Sequence, residues 1–461
     1  MNARLGIGNS RPTNFAGRRL IIERNNNVAG ELLAPSNPQG IIEMNGQPGL
    51  GGRKSHMSKS SKWFLISVSS LLVLFVMVGS LGVKASNKGD GAYRQLNVYT
   101  EVLQRIRTDY VEDPNIQTVT DGALHGLLES LDADSSYLSP AEYKQYKHLG
   151  EQKAGVGAAI SKRFGYAAVI AVIPGGPAEK AGIANGDIVE SIEGKSTREM
   201  SLAEIHGVLG GEPGSTITIS VVRPRRAVPQ KVTITREVVK DPAAAARMLE
   251  SGIGYITVDS FPKGRAQEVA GKIKELQRQG AKKLLLDLRN SGDGDEAEGI
   301  AFANLFLNHG LIAYVQGQRF PRQDYNADPA KVVTDLPLVV LVNRSTAGPA
   351  EIVASAILGN ARGDVLGDKT FGSGSIQKVL EIKDGSALLL SVAKYFAPSG
   401  KAIQDVAVTP NILVADAADE FVSPDDEQQD ESQVETPKKP HQDEQLRRAI
   451  EVLKNLDQKA A

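Results

Sequence analysis

Two apolar runs limit what the centre of this chain can become. Leu284–Leu286, inside the run Lys283–Leu288, and the segment 336–342 are continuous stretches of apolar side chains. A strand without polar alternation is covered on both faces, the pattern of a parallel sheet layered with helices. Amphipathic periodicity predicts a helix over about 265–279, and another runs through Phe302, Leu305 and Phe306. Strands alternating with helices argue a layered βαβ-type α/β core. Strand 336–342 delivers a turn of small residues, Asn343-Arg344-Ser345-Thr346-Ala347-Gly348-Pro349-Ala350-Glu351.

Read from Leu338 to Gln377, the stretch LVVLVNRSTAGPAEIVASAILGNARGDVLGDKTFGSGSIQ resembles the catalytic core of the carboxyl-terminal processing proteases, serine peptidases of family S41. Val342, Asn343, Ala347, Glu351, Ile352, Val353 and Ala354 match the family's nucleophile motif. Thr370, Phe371, Gly372, Gly374 and Gln377 match its lysine motif, with no gap between the two. The resemblance implies a Ser/Lys dyad, in which a neutral lysine takes the serine proton as the alkoxide attacks the amide. The serine position is Gly348 and the lysine position is Ser373, while Gln377 is retained. Glycine supplies no nucleophile, and the Ser373 hydroxyl is no base near neutral pH. A third departure is Gly359, where the family often carries Asp. Ser345 and Thr346 are the fallback nucleophiles, with Lys369 and Lys378 flanking Ser373. A displaced nucleophile is costly, since an error of ~1 Å can lose ~100-fold in rate. The family's oxyanion loop corresponds to Asp287-Leu288-Arg289-Asn290-Ser291-Gly292-Asp293-Gly294. A carboxylate at Asp293, beside Gly294, opposes the negative charge such a loop stabilises.

The same resemblance extends to other segments. Leu96, Tyr99, Val102, Leu103 and Ile106 recur at helical steps, and a second helix is expected from Gly122 to Leu131. Leu131-Asp132-Ala133-Asp134-Ser135-Ser136-Tyr137-Leu138 is similar to the family's L-D-x-x-S-x-Y-L signature. Residues 154–237 look like a PDZ domain, carried by Pro174-Gly175-Gly176-Pro177-Ala178-Glu179-Lys180-Ala181-Gly182-Ile183 and Asn185-Gly186-Asp187-Ile188-Val189. Ser201–Leu209 reads as the helix beside a peptide groove, and Ile217, Ile219 and Val221 alternate as a strand. Ala154-Gly155-Val156-Gly157 resembles the glycine-rich loop whose amides receive a terminal carboxylate, which makes Gly155, Val156 and Gly157 candidate peptide-binding residues. Gly252-Ile253-Gly254-Tyr255-Ile256 with Ser260-Phe261 matches the first core strand, and Tyr395–Gln404 matches the segment that closes the core. The resemblance spans about residues 92–414.

A formal net charge of −1 gives no reason to expect nucleic acid, and zero cysteines exclude disulfides and thiolate chemistry. The six histidines have no metal-ligand spacing, and no phosphate-binding loop is present, so neither metal nor cofactor is expected. Residues 63–83 form an uncharged apolar run of the ~20 residues a bilayer helix needs. Arg53, Lys54, Lys59 and Lys62 precede it, which favours a cytoplasmic N-terminus. Its length and the poor cleavage site Val83-Lys84-Ala85 favour a retained signal anchor over a cleaved signal peptide.

The expected organisation is a disordered tail or gene-model extension (1–56) with Met57 as the physiological start, and a signal anchor (57–88). An N-terminal helical region (89–153), a PDZ domain (154–238), an S41-like core (239–415) and an acidic linker with a C-terminal helix (416–461) follow. The fold class is multidomain α/β: N-terminal helices, a β-rich PDZ domain with two helices, and a layered α/β protease-like core. The expected function is that of a pseudoprotease, an adaptor or regulator at the inner membrane with its body on the periplasmic side. Its partners would be C-terminal peptides of exported proteins and an active homologous protease; an oligomer is compatible with the sequence. The alternative is an active serine endopeptidase of periplasmic processing that uses displaced residues.

Overall fold

The computed structural model describes residues 63–64, 67–71, 90–148, 153–163, 165–223, 226–415 and 443–460. The expected tail over 1–56, the start at Met57 and the acidic stretch up to residue 442 lie outside them. The membrane assignment requires correction. Among the described residues no helix is long and apolar enough to cross a membrane. Of the run 63–83 only residues 63–64 and 67–71 are described. The single-pass anchor, and with it the inner-membrane and periplasmic placement, is therefore withdrawn.

Two compact units are present, one ending at Val119 and the other running from Thr120 to the C-terminus. The first carries helix α1 (Asp90–Asp109). Helix α2 (Ile116–Glu129) begins at the end of that unit, and its larger part belongs to the second. Strand β1 (Ser136–Leu138) and helix α3 (Pro140–Lys147) follow. Ser139 and Glu142 form a reciprocal capping box that starts α3 behind a proline at its first turn.

The next stretch is β-rich: β2 (Ala158–Arg163), β3 (Tyr166–Val172), α4 (Pro177–Lys180), β4 (Ile188–Ile192), β5 (Lys195–Ser196), α5 (Leu202–Leu209), β6 (Thr216–Arg223) and β7 (Arg226–Thr235). The sheet order is β2-β3-β4-β6-β7, with β5 on β4, so β2 has one unpaired edge. Alternating Ile217, Ile219 and Val221 turn inward onto Leu202, Ile205 and Leu209 of α5.

The core begins with β8 (Ala245–Leu249), β9 (Ile253–Thr257), α6 (Arg265–Arg278), β10 (Lys283–Asp287) and α7 (Glu296–Ala303). It continues through β11 (Leu311–Gln316), β12 (Gln323–Asn326), β13 (Leu338–Val342), α8 (Pro349–Gly359) and β14 (Asp364–Gly367). It ends with β15 (Ser375–Glu381), β16 (Ala387–Phe396), β17 (Ile412–Leu413) and α9 (Glu444–Ala460). One sheet has the order β17-β14-β13-β10-β9-β8, parallel except for the edge strand β8. A second runs β1-β16-β11-β12, with β15 on β16.

The apolar runs are explained by two-sided cover. Leu284, Leu286, Val340 and Val342 face the core that contains Val269 and Ile273 of α6, Phe302 of α7 and Ile352 of α8. Leu285, Val339 and Leu341 face the other way, onto Ala449 and Leu453 of α9. The amphipathic helix expected over Gln445–Leu456 is thus the second cover of the sheet. Arg289 fastens it, donating to both Asp443 carboxylate oxygens at 2.8 Å while also holding Asp287.

Candidate functional site

Parallel β10 and β13 lie side by side, and their carboxyl ends release the two loops that matter, 287–294 and 343–348. Crevices at such strand ends are where α/β folds place their chemistry. Asn343 ties the loops together: its Oδ1 accepts from the Asn290 and Ser345 amides, and its Nδ2 donates to Asn290 Oδ1. Thr346 is wholly committed. Its hydroxyl donates to Leu288 O at 2.8 Å and accepts from the Asn343 amide at 2.9 Å. Ser345 is buried beside it, its amide spent on Asn343.

Gly348 stands at the N-cap of α8 with φ 58° and ψ −120°, a conformation that strains any residue with a Cβ. Space is not the obstacle, because a Cβ there would meet no atom within 4 Å. Three residues on, Glu351 is fully buried and gathers four donors. They are the amides of Gly348 (3.1 Å), Gly372 (2.8 Å) and Ser373 (2.7 Å), and the Thr370 hydroxyl. Burial pushes its carboxyl up to about 7, against the pull of these four donors. One carboxylate therefore clasps the nucleophile-position turn to the lysine-position loop. The glutamate spacing of a capping box, three residues past the cap, is the signal that could have singled it out.

Ser373 sits in this clasp through its amide. Gln377 donates to Ser375 Oγ (2.9 Å) and Ser391 Oγ (3.2 Å), which in turn reach Asp134 (2.6 Å) and Asp132 (3.1 Å). Asp132 and Asp134 of the Leu131–Leu138 signature thus hold the surroundings of Gln377. In the 287–294 loop, Asp293 O accepts from Phe261 N at 2.9 Å, and a Cβ on Gly294 would lie 2.5 Å from Phe261 O. Close backbone contact, rather than a ligand, accounts for that glycine. Among the described residues no cluster of three metal-ligating side chains converges.

The β2–β3 hairpin lies over this turn. Ile170 and Ala171 pack on Ala347, with Ala159 and Phe371 beside them. The Arg163 guanidinium is 4.5 Å above the Phe371 ring and donates to the Phe371 carbonyl at 3.3 Å. Asn185 Nδ2 donates to Asn290 Oδ1 at 2.9 Å. These links join residues that no local pattern relates.

The loop before β2 is built differently from the catalytic turn. Gly155 is stitched to Glu237 by two backbone bonds. Val156 and Gly157 use their carbonyls, which accept from Ala178 and Ile173, yet neither amide meets an acceptor among the described residues. Gly157 has φ 73°, and a Cβ there would press to 3.0 Å from Pro177 Cδ.

Comparisons agree with this architecture. Residues 252–414 match the peptidase family S41 model, and residues 169–223 match a PDZ domain model. The carboxy-terminal-processing protease of Bartonella bacilliformis is 30% identical over 76% of this chain and 82% of its own length. The carboxy-terminal processing protease CtpA of Bacillus subtilis is 31% identical over 75% of this chain and 74% of that protein. Among solved structures, the photosystem II D1 C-terminal processing protease is similar at 26% identity and a TM-score of 0.58, over 69% of this chain and 92% of that one. The chain belongs to the carboxyl-terminal processing proteases of peptidase family S41.

Proposed function

We propose that this chain is a catalytically silent member of its family that binds polypeptide C-termini through its PDZ region and acts as an adaptor or regulator, with an active homologous protease as a partner. The observation that carries the reading is the state of the nucleophile turn. Its left-handed turn, its helix and its Glu351 clasp are in place, with Gly348 where a hydroxyl is needed and Ser373 where an amine is needed. Of the fallback residues, Thr346 gives no support to displaced chemistry, since its hydroxyl proton is held by Leu288 O.

Binding draws its support from the unspent Val156 and Gly157 amides beside the open edge of β2. A peptide added as a strand there brings its terminal carboxylate to that loop. The test is fluorescence polarisation with an apolar-ended peptide, free acid against C-terminal amide, on the purified chain. The free acid is expected to bind at least about tenfold more tightly, the scale of one to two charge-assisted hydrogen bonds. Gly157→Ala is expected to remove that preference. Equal affinity for the two peptides would contradict the reading.

A further inference from the structure

Resting on the reading of β2 as a peptide-accepting edge, we propose that His206 is a latch that holds this groove closed against its own ligand. The backbone shows which groups the groove offers. Ile160 of β2 stands opposite Val169 of β3. Val169 spends its amide on Asp187 O and its carbonyl on Gly186 N, both at 2.8 Å and both on the side toward β4. In an antiparallel pair, facing residues bond to each other or both point away. Ile160 therefore directs its N–H and C=O to the free edge, where an incoming strand needs them.

That carbonyl is already occupied. His206 reaches across from α5 and sets its Nε2 3.2 Å from Ile160 O, a donor contact when Nε2 carries the proton. Two residues along the same edge, Lys162 donates its Nζ to Met200 O at 2.7 Å, the carbonyl just ahead of the α5 cap Ser201, and also pairs with Glu129. Strand and helix are thus tied at two points across the space a peptide would fill. The helix does not need His206 for its packing. Leu202, Ile205 and Leu209 supply its buried face, Ala203 turns to Leu138 and Tyr143, and His206 is exposed.

A peptide entering along β2 displaces the imidazole and takes over the Ile160 carbonyl, so each binding event forfeits the latch contact. The experiment measures the affinity of the full chain for the apolar-ended peptide, free acid and amide, in the native protein, His206→Ala and His206→Gln. His206→Ala is expected to bind about three- to tenfold more tightly, the worth of one hydrogen bond no longer given up. His206→Gln, whose amide can still donate to Ile160 O, is expected to stay near the native value. Unchanged or weaker binding by His206→Ala, with the free acid still preferred, would overturn the latch and leave the carboxylate reading standing. Tighter binding by His206→Ala, with free acid and amide bound equally well, would support the latch and overturn the carboxylate reading. No binding by any of the three proteins would overturn both.

Discussion

Two glycine turns in this molecule put their backbone amides to opposite uses. At the nucleophile position, the amides of Gly348, Gly372 and Ser373 all end on Glu351, a carboxylate belonging to the protein. At the head of β2, the amides of Val156 and Gly157 end on no acceptor among the described residues. The first turn is internally satisfied and offers an external anion little. The second leaves two N–H donors without an acceptor among the described residues, the groups on which the proposed carboxylate binding rests.

The largest expected effect comes from making the first turn resemble the second. Glu351→Ala leaves the buried Gly348 and Gly372 amides and the Thr370 hydroxyl, with the part-buried Ser373 amide beside them, without their acceptor. At about 1–3 kcal/mol for each unsatisfied group, the loss should reach at least about 3 kcal/mol, read as a lower urea midpoint at unchanged slope. Retained stability would mean that the clasp is incidental. The same carboxylate sets a pH dependence. Its folded pKa of about 7 lies above the ordinary value of 4.5. Its contribution is therefore full below pH 4.5 and is lost as pH rises through about 7. Glu351→Gln should flatten the stability profile across that window.

The smallest expected effect lies away from both turns, at the His125–Glu142 contact of 3.4 Å between α2 and α3. The hydrogen bond with Glu142 raises His125, with further attraction from Glu129 and Glu204 opposing the effect of burial. Glu142 in turn is held down at about 2, chiefly by the bond to His125. The histidine's contribution is full below pH 6.5 and fades as pH rises through its raised value. That of Glu142 is full above pH 4.5 and fades as pH falls toward 2. The pair should add most between pH 4.5 and 6.5, and His125→Gln should remove a shallow stability maximum there. A profile identical to that of the native protein would assign the contact no energetic role.

The sequence carried the core because its signal is local and strong. Leu284–Leu286 and Leu338–Val342 read as strands covered on both faces, and the structure buries them so. What it could not carry were contacts between distant segments. Arg289 meets Asp443 across 154 positions, and His206 meets Ile160 across 46. The role of Glu351 was half visible: its place in the motif was plain, but not its burial or the lysine-position loop it holds. The membrane expectation drawn from the run 63–83 is the one corrected: among the described residues no helix is long and apolar enough to cross a membrane.

The most direct measurement of the central claim is degradation of an unfolded protein by the native chain beside Gly348→Ser/Ser373→Lys. The serine is expected to cost about 1–3 kcal/mol of backbone strain, so the folded fraction of each protein is matched first by circular dichroism. The account predicts no cleavage by the native chain and cleavage by the double variant, whose scaffold needs only its two reacting groups. Cleavage by the native chain that is abolished by Ser345→Ala or Thr346→Ala would contradict it.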